Sequence, residues 1–230
     1  MTSSAIKRII NKDIKEVSNK NLNSLGIYIE FNEENLFEAK AMIVGPKDSL
    51  YDGGFLFFNI TFPKNYPYSP PTLKYISQNI VRIHPNLYVN GKVCLSILGT
   101  WSGEKWSSIM DITTILLTIQ SLLDNNPFNH EPGHENKINE SYNQIIQYNS
   151  LSSLIVDRYK RIPHSFEIFQ NNMDETIKLR YNHLFNKIKQ IKNENEKSFT
   201  ATFPFYSINL TIDYDKLFRD YQKLFNKFDN

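Results

Sequence analysis

One short segment, residues 62–71, contains four of the ten prolines of this chain. Because proline cannot donate to a β-sheet ladder, this segment is excluded from the interior of a sheet and is predicted to form a stiff, ordered loop. Three runs rich in β-branched and aromatic residues precede it, at residues 25–31, 36–44 and 54–62, and residues 72–76 can form a fourth strand. The short connections between these runs favour a consecutive antiparallel meander over crossover units.

Helical periodicity occurs on both sides of this predicted sheet in the sequence. The first helix is expected over residues 4–18, with Ser4 as its N-cap, and a second over residues 107–123, capped by Ser107 or Ser108. Further helices are expected at residues 135–148, 151–160, 174–191 and 213–228, and an apolar, partly extended run at residues 199–210. The sequence therefore predicts a meander with helices before and after it.

Composition limits the classes of function. Hydrophobic residues make up 40% and aromatic residues 13% of the 230 positions, which supports a globular core. A net charge of +2 excludes bulk attraction to nucleic acid or to an anionic membrane, and no apolar run approaches the roughly 18 residues that span a bilayer. The charged N-terminal segment lacks the apolar run of a signal peptide.

A single cysteine excludes a disulfide framework and a thiolate-rich zinc site, so we expect a reducing, cytoplasmic or nuclear location and no bound metal.

The single cysteine, Cys94, lies in a segment that is predicted to form a hairpin. Asn90-Gly91 is the dipeptide that most readily supplies the two positive φ angles of a two-residue turn, and short apolar runs flank it. Asn86 lies shortly before the turn, so the hairpin is expected to fold its carboxamide back towards the sulfur. A lone cysteine is often a small buried hydrophobe, so the residues themselves leave both an inert and a reactive thiol open.

The predicted first helix carries its basic residues away from its apolar stripe. The stripe consists of Ile6, Ile9, Ile10, Ile14 and Val17. The compact basic face consists of Lys7, Arg8, Lys12 and Lys15. Such a face is either a solvated surface or a binding surface, and the spacing alone does not decide between them.

Five short motifs resemble, in their order and spacing, those of the ubiquitin-conjugating enzymes. They are YDGG at residues 51–54, YPYSPP at 66–71, HPN at 84–86, GKVCL at 91–95, and Trp106. The chain most resembles a branch with C-terminally extended members, which shares CLSILGTW and, after the long helix, an NPxxxEPG loop. The resemblance runs from about residue 5 to residue 160 and is weak beyond it. It implies a conjugating core domain at residues 1–160 and a helical extension, packed on that core, at residues 161–230.

The resemblance implies an α+β fold in which a four-stranded antiparallel meander has an N-terminal helix and helices behind it. It also implies that Cys94 accepts the C-terminus of ubiquitin, or of a ubiquitin-like modifier, from an activating enzyme as a thioester. A thioester stores free energy yet resists hydrolysis, so it can pass the acyl group to a substrate lysine or to a ligase cysteine. Asn86 matches the family's asparagine that stabilises the tetrahedral oxyanion or braces its loop, while His84 and Pro85 match structural positions. ATP is used by the activating enzyme, so no bound cofactor is expected.

The resemblance also implies where partners bind. The activating enzyme is expected on the basic face of the first helix. RING-type ligases are expected on two loops, at Tyr68, Ser107, Ser108 and Ile109, although many family members have proline in place of Ser108. Protein substrates with an accessible lysine complete the expected partners, and nucleic acid and membranes are not among them.

Three features depart from the family pattern near the cysteine. The residue two positions after the cysteine is often aspartate but is Ser96 here, and the segment between Cys94 and Trp106 is longer than the common pattern. Many members place an acid in the loop after the long helix, where it helps to orient and deprotonate the lysine. Asn129 or His130 is nearest that position here. The sequence therefore indicates a candidate gate loop but identifies no base for an amine whose reference pKa is near 10.4.

Two other functions remain open at this level. A cysteine hydrolase would pair the thiol with one of His84, His130 or His134, but the cysteine is predicted at the end of a hairpin strand and not at a helix N-terminus. An inactive scaffold of the same fold would bind ubiquitin or ligases without chemistry. The intact cysteine motif argues against such a scaffold.

Overall fold

A computed structural model describes residues 3–195 and 197–227 and contains the predicted meander. Its four strands pair antiparallel in chain order. They are β1 (Ile27–Phe31), β2 (Glu38–Val44), β3 (Phe55–Thr61) and β4 (Thr72–Ile76). The predicted sheet and its strand order are therefore confirmed, and the proline-rich segment connects β3 to β4 as a loop.

The register of the sheet places large apolar side chains on both of its faces. Met42 pairs with Phe57 and Ala41 with Phe58, and all four residues are buried. A sheet that is apolar on both faces needs a packed layer on each side. The C-terminal extension supplies part of one layer, since the rings of Phe57 and Phe166 stack with centroids 4.7 Å apart.

Helices precede β1 and follow β4. The N-terminal helix consists of α1 (Ser4–Arg8) and α2 (Lys15–Asn19), joined by a π-helical stretch, Ile9–Ile14. After the sheet come α3 (Ile112–Leu122), α4 (Glu140–Asn149), a second π-helical stretch (Ser150–Asp157), α5 (Arg158–Lys160), α6 (Gln170–Glu194) and α7 (Tyr214–Phe225). Short 3₁₀ turns lie at Leu22–Leu25, Ser96–Leu98, Pro127–His130, His164–Phe169 and Pro204–Tyr206. Within residues 3–195 and 197–227, no helix combines the length and apolar character needed to cross a membrane.

The predicted N-caps of two helices are wrong. The first helix is capped by Ser3 and not by Ser4, and α3 is capped by Asp111 and not by Ser107 or Ser108. In both helices the side-chain oxygen of the cap accepts a hydrogen bond from a backbone N–H of the first turn. An aspartate carboxylate is also favoured by the positive end of the helix dipole, which a serine hydroxyl does not exploit.

The first π-helical stretch changes which residues of the N-terminal helix are buried. The wider turn rotates the side chains that follow, so Asp13 is fully buried while Ile10 is 40% exposed. The predicted apolar stripe is therefore wrong at Ile10. The Asp13 carboxylate accepts hydrogen bonds from the Tyr66 hydroxyl at 2.6 Å and from the Ile112 N–H at 2.9 Å. It thereby ties the N-terminal helix to the proline-rich loop and to the start of α3.

The helical extension expected after residue 160 is confirmed by α6 and α7, and the apolar run at residues 199–210 is partly extended, as expected. A two-stranded antiparallel hairpin, β5 (Phe199–Phe203) and β6 (Ile208–Ile212), separates α6 from α7. The reason is local, since both strands come from a run of β-branched and aromatic residues. α6 packs on the loop between β2 and β3, and α7 packs on α6 and on the second π-helical stretch. The predicted end of the last helix, Phe228, lies outside the described residues.

Candidate active site

Cys94 follows a hairpin whose loop has three residues and not the predicted two. Tyr88 N–H donates to Lys92 O at 3.0 Å, and Gly91 N–H donates to Tyr88 O at 2.9 Å. Gly91 has a φ of 94°, whereas Asn90 keeps a negative φ and accepts the Lys92 N–H through its Oδ1. A left-handed residue at the third loop position is the usual geometry of a three-residue hairpin. The hairpin is fixed to the sheet because the Gly91 carbonyl accepts a hydrogen bond from β4 at 2.8 Å.

Asn86 and Cys94 lie side by side at the base of this hairpin. Cys94 N–H donates to Asn86 O at 2.9 Å, and Asn86 Nδ2 donates to Cys94 O at 2.6 Å. The hairpin therefore returns the carboxamide to Cys94 as predicted, but the contact is with its backbone carbonyl and not with its sulfur. A carboxamide nitrogen carries two N–H groups, so one is left for a second acceptor. Cys94 is only 1% exposed, so the segments around it cover nearly all of its surface.

Thr100 holds the segment that follows the cysteine. Its Oγ1 accepts a hydrogen bond from Leu95 N–H at 3.0 Å and lies 2.9 Å from Val93 O, to which the hydroxyl donates. These bonds close the chain around the Ser96–Leu98 turn and fix the start of the long loop at residues 99–105. Sequence reasoning missed Thr100, and its place in the CLSILGTW motif is the signal that could have found it.

His84 is a buried, neutral support beneath Asn86. Its Nδ1 accepts a hydrogen bond from the Asn86 N–H at 3.0 Å. Burial, together with repulsion from the nearby His130, lowers the pKa of His84 to about 3, so the imidazole is neutral at pH 7. Since Nδ1 already accepts from the backbone, His84 braces Asn86 and does not serve Cys94. Pro85, between them, is buried as well.

The loop after α3 contains a histidine–carboxylate pair that sequence reasoning missed. His130 Nε2 lies 2.9 Å from Asp124 Oδ2, and Asp124 lies two residues after the end of α3, ahead of the loop position where an acid was expected. Burial alone would raise the pKa of Asp124, but hydrogen bonds from His130 and from the Asn126 N–H outweigh it and lower the pKa. The ionised carboxylate therefore orients the imidazole. Asn129 lies in the same turn, and its buried Oδ1 has no hydrogen-bond partner among the described residues.

The structure divides the four basic residues of the N-terminal helix into two groups. Lys7 and Lys15 are exposed, and Lys12 is 42% exposed. Arg8 instead turns inward, where its NH1 lies 3.2 Å from the carboxylate of buried Asp13 and its NH2 donates to a backbone carbonyl before α3 at 2.8 Å. The exposed basic face therefore consists of three lysines, and the guanidinium of Arg8 is not part of it.

The two loops expected to contact ligases lie together at the surface. Tyr68 is 81% and Ile109 82% exposed, and Ser107 and Ser108 are exposed as well. Trp106 holds the loops together, since its Nε1 donates to a backbone carbonyl of the proline-rich loop at 2.7 Å. A groove of about 400 Å³ separates these loops from the long loop at residues 99–105.

Comparisons with known proteins agree with this geometry. Residues 9–154 match the family model described as ubiquitin-conjugating enzyme. Over 138 residues the chain is 40% identical to ubiquitin-conjugating enzyme E2 Z of Danio rerio and 39% identical to that of Homo sapiens, in each case over 57% of this chain. Over 158 residues it is 35% identical to probable ubiquitin-conjugating enzyme protein 17 of Caenorhabditis elegans, covering 63% of this chain and 22% of that protein. The matched part covers 42% and 39% of the two E2 Z proteins, so the chain spans about two fifths of their length.

Proposed function

This chain belongs to the ubiquitin-conjugating enzymes, since the family match covers most of its length, and from that premise we propose that Cys94 carries ubiquitin or a ubiquitin-like modifier as a thioester. The acyl group comes from an activating enzyme and passes to a substrate lysine or to the cysteine of a ligase. The chain is then an acyltransferase that holds its substrate covalently between two transfers.

The observation that carries this proposal is the pair of hydrogen bonds between Asn86 and Cys94. They hold the Asn86 carboxamide against the backbone of Cys94 and leave one of its N–H groups uncommitted. A buried structural cysteine needs no such neighbour, whereas acyl transfer at sulfur needs a donor for the oxygen that becomes negatively charged.

The proposed reaction consists of two acyl transfers, one onto Cys94 and one away from it. In charging, the Cys94 thiolate attacks the thioester of the activating enzyme, a new sulfur–carbonyl bond forms, and the thiolate of the activating enzyme leaves. In transfer, a neutral lysine amine attacks the Cys94 thioester, the nitrogen–carbonyl bond forms, and the Cys94 thiolate leaves. The amine loses one proton in this step, so a group that accepts it increases the rate.

The gate loop is proposed to face the incoming lysine. This loop, at residues 125–133, contains Asn129 and His130, and Asp124 holds the imidazole of His130 in one orientation. With Nε2 directed at the ionised Asp124 carboxylate, the Nδ1 of the neutral imidazole keeps a lone pair that can accept a proton. His130 then replaces the acid that many family members place in this loop.

The proposed partner surfaces are those where the candidate side chains are exposed to solvent. We assign the activating enzyme to the lysine face of the N-terminal helix, at Lys7, Lys12 and Lys15. RING-type ligases are assigned to Tyr68 and Ile109, which are large, apolar and solvent-exposed. The same proposal includes no bound cofactor, since ATP is consumed by the activating enzyme, and a cytoplasmic or nuclear location that keeps the lone thiol reduced.

The test is a charging assay on gels run with and without reductant. The protein is incubated with activating enzyme, ATP and ubiquitin, and in parallel with ubiquitin-like modifiers and their activating enzymes. We expect a reductant-sensitive adduct that becomes a reductant-resistant ester in Cys94→Ser and is lost in Cys94→Ala. Absence of an adduct with every modifier would overturn the proposal.

The same assay separates the two alternatives. A scaffold would bind ubiquitin without forming an adduct, and a hydrolase would cleave a ubiquitin ester or amide. The hydrolase has little support from the geometry, because the Nδ1 of His84 is committed to the backbone of Asn86.

A further inference from the structure

The hairpin of the C-terminal extension reaches the gate loop of the core. The ring of Phe203 at the end of β5 lies edge-on to the ring of Phe128 in the gate loop, with centroids 5.1 Å apart, and 4.7 Å from the ring of Tyr142 in α4. The turn between β5 and β6 then carries Tyr206 over the same surface. A segment more than a hundred residues beyond Cys94 in sequence therefore lies against the loops around the cysteine.

Four side chains meet at this place. The guanidinium of Arg82 lies between two aromatic rings, 3.8 Å from the centroid of Tyr88 and 4.3 Å from that of Tyr206. Glu131 binds both neighbours, since it accepts a hydrogen bond from the Tyr206 hydroxyl and lies 3.8 Å from the Arg82 NH2. We call these four residues, Arg82, Tyr88, Glu131 and Tyr206, the clamp.

The four members of the clamp come from three parts of the chain, namely the Asn86 segment, the gate loop and the extension. Arg82 and Tyr88 flank Asn86 in sequence, and the Arg82 guanidinium also donates to the carbonyl of Pro85, directly before Asn86. Glu131 directly follows His130 in the gate loop. Only Tyr206 comes from the extension. The clamp thus joins the Asn86 segment and the gate loop through a residue outside the core.

The two charged side chains of the clamp are mostly buried and fix the arrangement of their neighbours. The side chains of Arg82 and Glu131 are 18% and 17% exposed, so each depends on its neighbours in the clamp. A planar guanidinium stacked between two rings has one orientation, which a flexible ammonium would not adopt. Burial and the hydrogen bond to Glu131 raise the pKa of Tyr206 above its ordinary value, so its hydroxyl stays protonated and keeps donating.

We propose that Tyr206 is a positioning residue for acyl transfer from Cys94, because it fixes Arg82 and Glu131 and, through them, the segments that carry Asn86 and His130. The proposal rests on the thioester function assigned to Cys94. Tyr206 does not touch the reacting atoms. Its contribution is the alignment of two loops, and small displacements of reacting groups cost about 100-fold in rate when they reach about 1 Å.

The variant that tests this is Tyr206→Phe, which keeps the ring over Arg82 and removes the hydroxyl that binds Glu131. Tyr206→Leu removes the ring as well. The matched control is Tyr214→Phe, which removes a phenol hydroxyl elsewhere in the extension, where Tyr214 packs on the ring of Tyr148.

The main measurement is single-turnover discharge of ubiquitin from charged protein to free lysine. We expect Tyr206→Phe to lower the maximal rate about tenfold and Tyr206→Leu to lower it about 100-fold. The lysine concentration at half-maximal rate should stay unchanged, because lysine does not contact Tyr206, and Tyr214→Phe should match the wild type. Equal maximal rates in Tyr206→Phe and the wild type would overturn the proposal.

A double-mutant cycle tests whether Tyr206 acts through Glu131. Glu131→Ala and Tyr206→Phe should each lower the discharge rate. The double variant should lose no more than the larger single loss, since the hydrogen bond between Tyr206 and Glu131 is absent in all three variants. Losses that multiply in the double variant would contradict action through this bond.

Alkylation of Cys94 by iodoacetamide provides a readout that does not require charging. Cys94 is the only cysteine and is 1% exposed, so its alkylation reports the opening of the segments around it. We expect faster alkylation in Tyr206→Phe than in the wild type and in Tyr214→Phe. If the wild type does not form the thioester, the proposed function is wrong. Equal alkylation rates in Tyr206→Phe and the wild type would overturn the role of Tyr206 whether or not the protein charges.

Discussion

At the scale of single residues, the position of Asn86 is determined from two sides. Its backbone N–H donates to His84 and its carboxamide donates to the Cys94 carbonyl, so the side chain is oriented before any substrate arrives. A donor that is already oriented stabilises a developing oxyanion without reorganisation at the moment of reaction. The second N–H of the same nitrogen is the group that we expect to act in transfer.

Replacement of this donor should separate charging from transfer. In Asn86→Ala we expect Cys94 to charge, because the attacking group is a strong thiolate nucleophile, while discharge to free lysine falls by about 10²–10³. The measurement is single-turnover discharge at saturating lysine, with the fraction charged determined first. Discharge at the wild-type rate would remove Asn86 from the transfer step.

The neutral state of His84 makes stability depend on pH. The folded chain holds the pKa of His84 at about 3, against 6.5 for the ordinary value, so between these pH values only the unfolded chain binds a proton there. Unfolding then takes up a proton, and stability falls as the pH falls below about 6.5, by about 1.4 kcal/mol per pH unit for this one group. Above that pH the contribution is complete.

Denaturant unfolding between pH 7 and pH 5 checks this slope. His84→Gln should be less stable than the wild type at pH 7, since the buried hydrogen bond to Asn86 is altered, but should lose less stability on acidification. The control is His164→Gln, whose side chain is 97% exposed and should leave the wild-type slope unchanged. A His84→Gln variant with the full slope would mean that another group titrates.

At the scale of elements, the sequence predicted what depends on local pattern. The strands were predictable because β-branched and aromatic runs end at turn signals and at the proline-rich loop. In the structure, β1 and β2 begin at Ile27 and Glu38, each two residues after its predicted start. The approach of Asn86 to Cys94 was predictable because a hairpin alone brings them together.

Features that depend on distant partners were not predictable from the same patterns. Asp13 is buried because Tyr66 and the N-terminus of α3 bind it, and neither partner is near it in sequence. The same holds for Glu131, whose partner Tyr206 lies in the extension. Asp124 is closer to His130, but its role depends on how the gate loop folds back. Sequence periodicity carries no information on such contacts.

The N-terminal helix yields a prediction at this scale. Lys7→Glu with Lys15→Glu reverses two exposed charges and should slow charging by the activating enzyme about tenfold at low salt, because steering between opposite charges raises association rates. Discharge to lysine should be unchanged. Lys223→Glu, at an exposed lysine of α7, is the matched control and should charge at the wild-type rate. An unchanged charging rate in the double variant would exclude this face.

At the scale of the whole molecule, the extension is joined to the core through a residue of the family motif. Asp52 of the YDGG motif is 1% exposed in the loop between β2 and β3. Its carboxylate lies 2.8 Å from Arg180 NH1 and 2.9 Å from His183 Nε2, both on α6. A buried carboxylate requires such partners, so the core loop and α6 depend on each other.

We therefore expect the core and the extension to unfold together. Arg180→Ala leaves Asp52 without its charged hydrogen bond and should lower the free energy of unfolding by about 1.5–3 kcal/mol. The lowering should appear as a shift of one transition in guanidinium chloride, followed both by tryptophan fluorescence, which reports the core, and by far-ultraviolet circular dichroism, which includes α6 and α7. Arg219→Ala, at an exposed arginine of α7, should change the free energy by less than about 0.5 kcal/mol. The contrary result would be two separate transitions, of which Arg180→Ala shifts only the one that tryptophan fluorescence does not detect. The extension would then fold independently of the core.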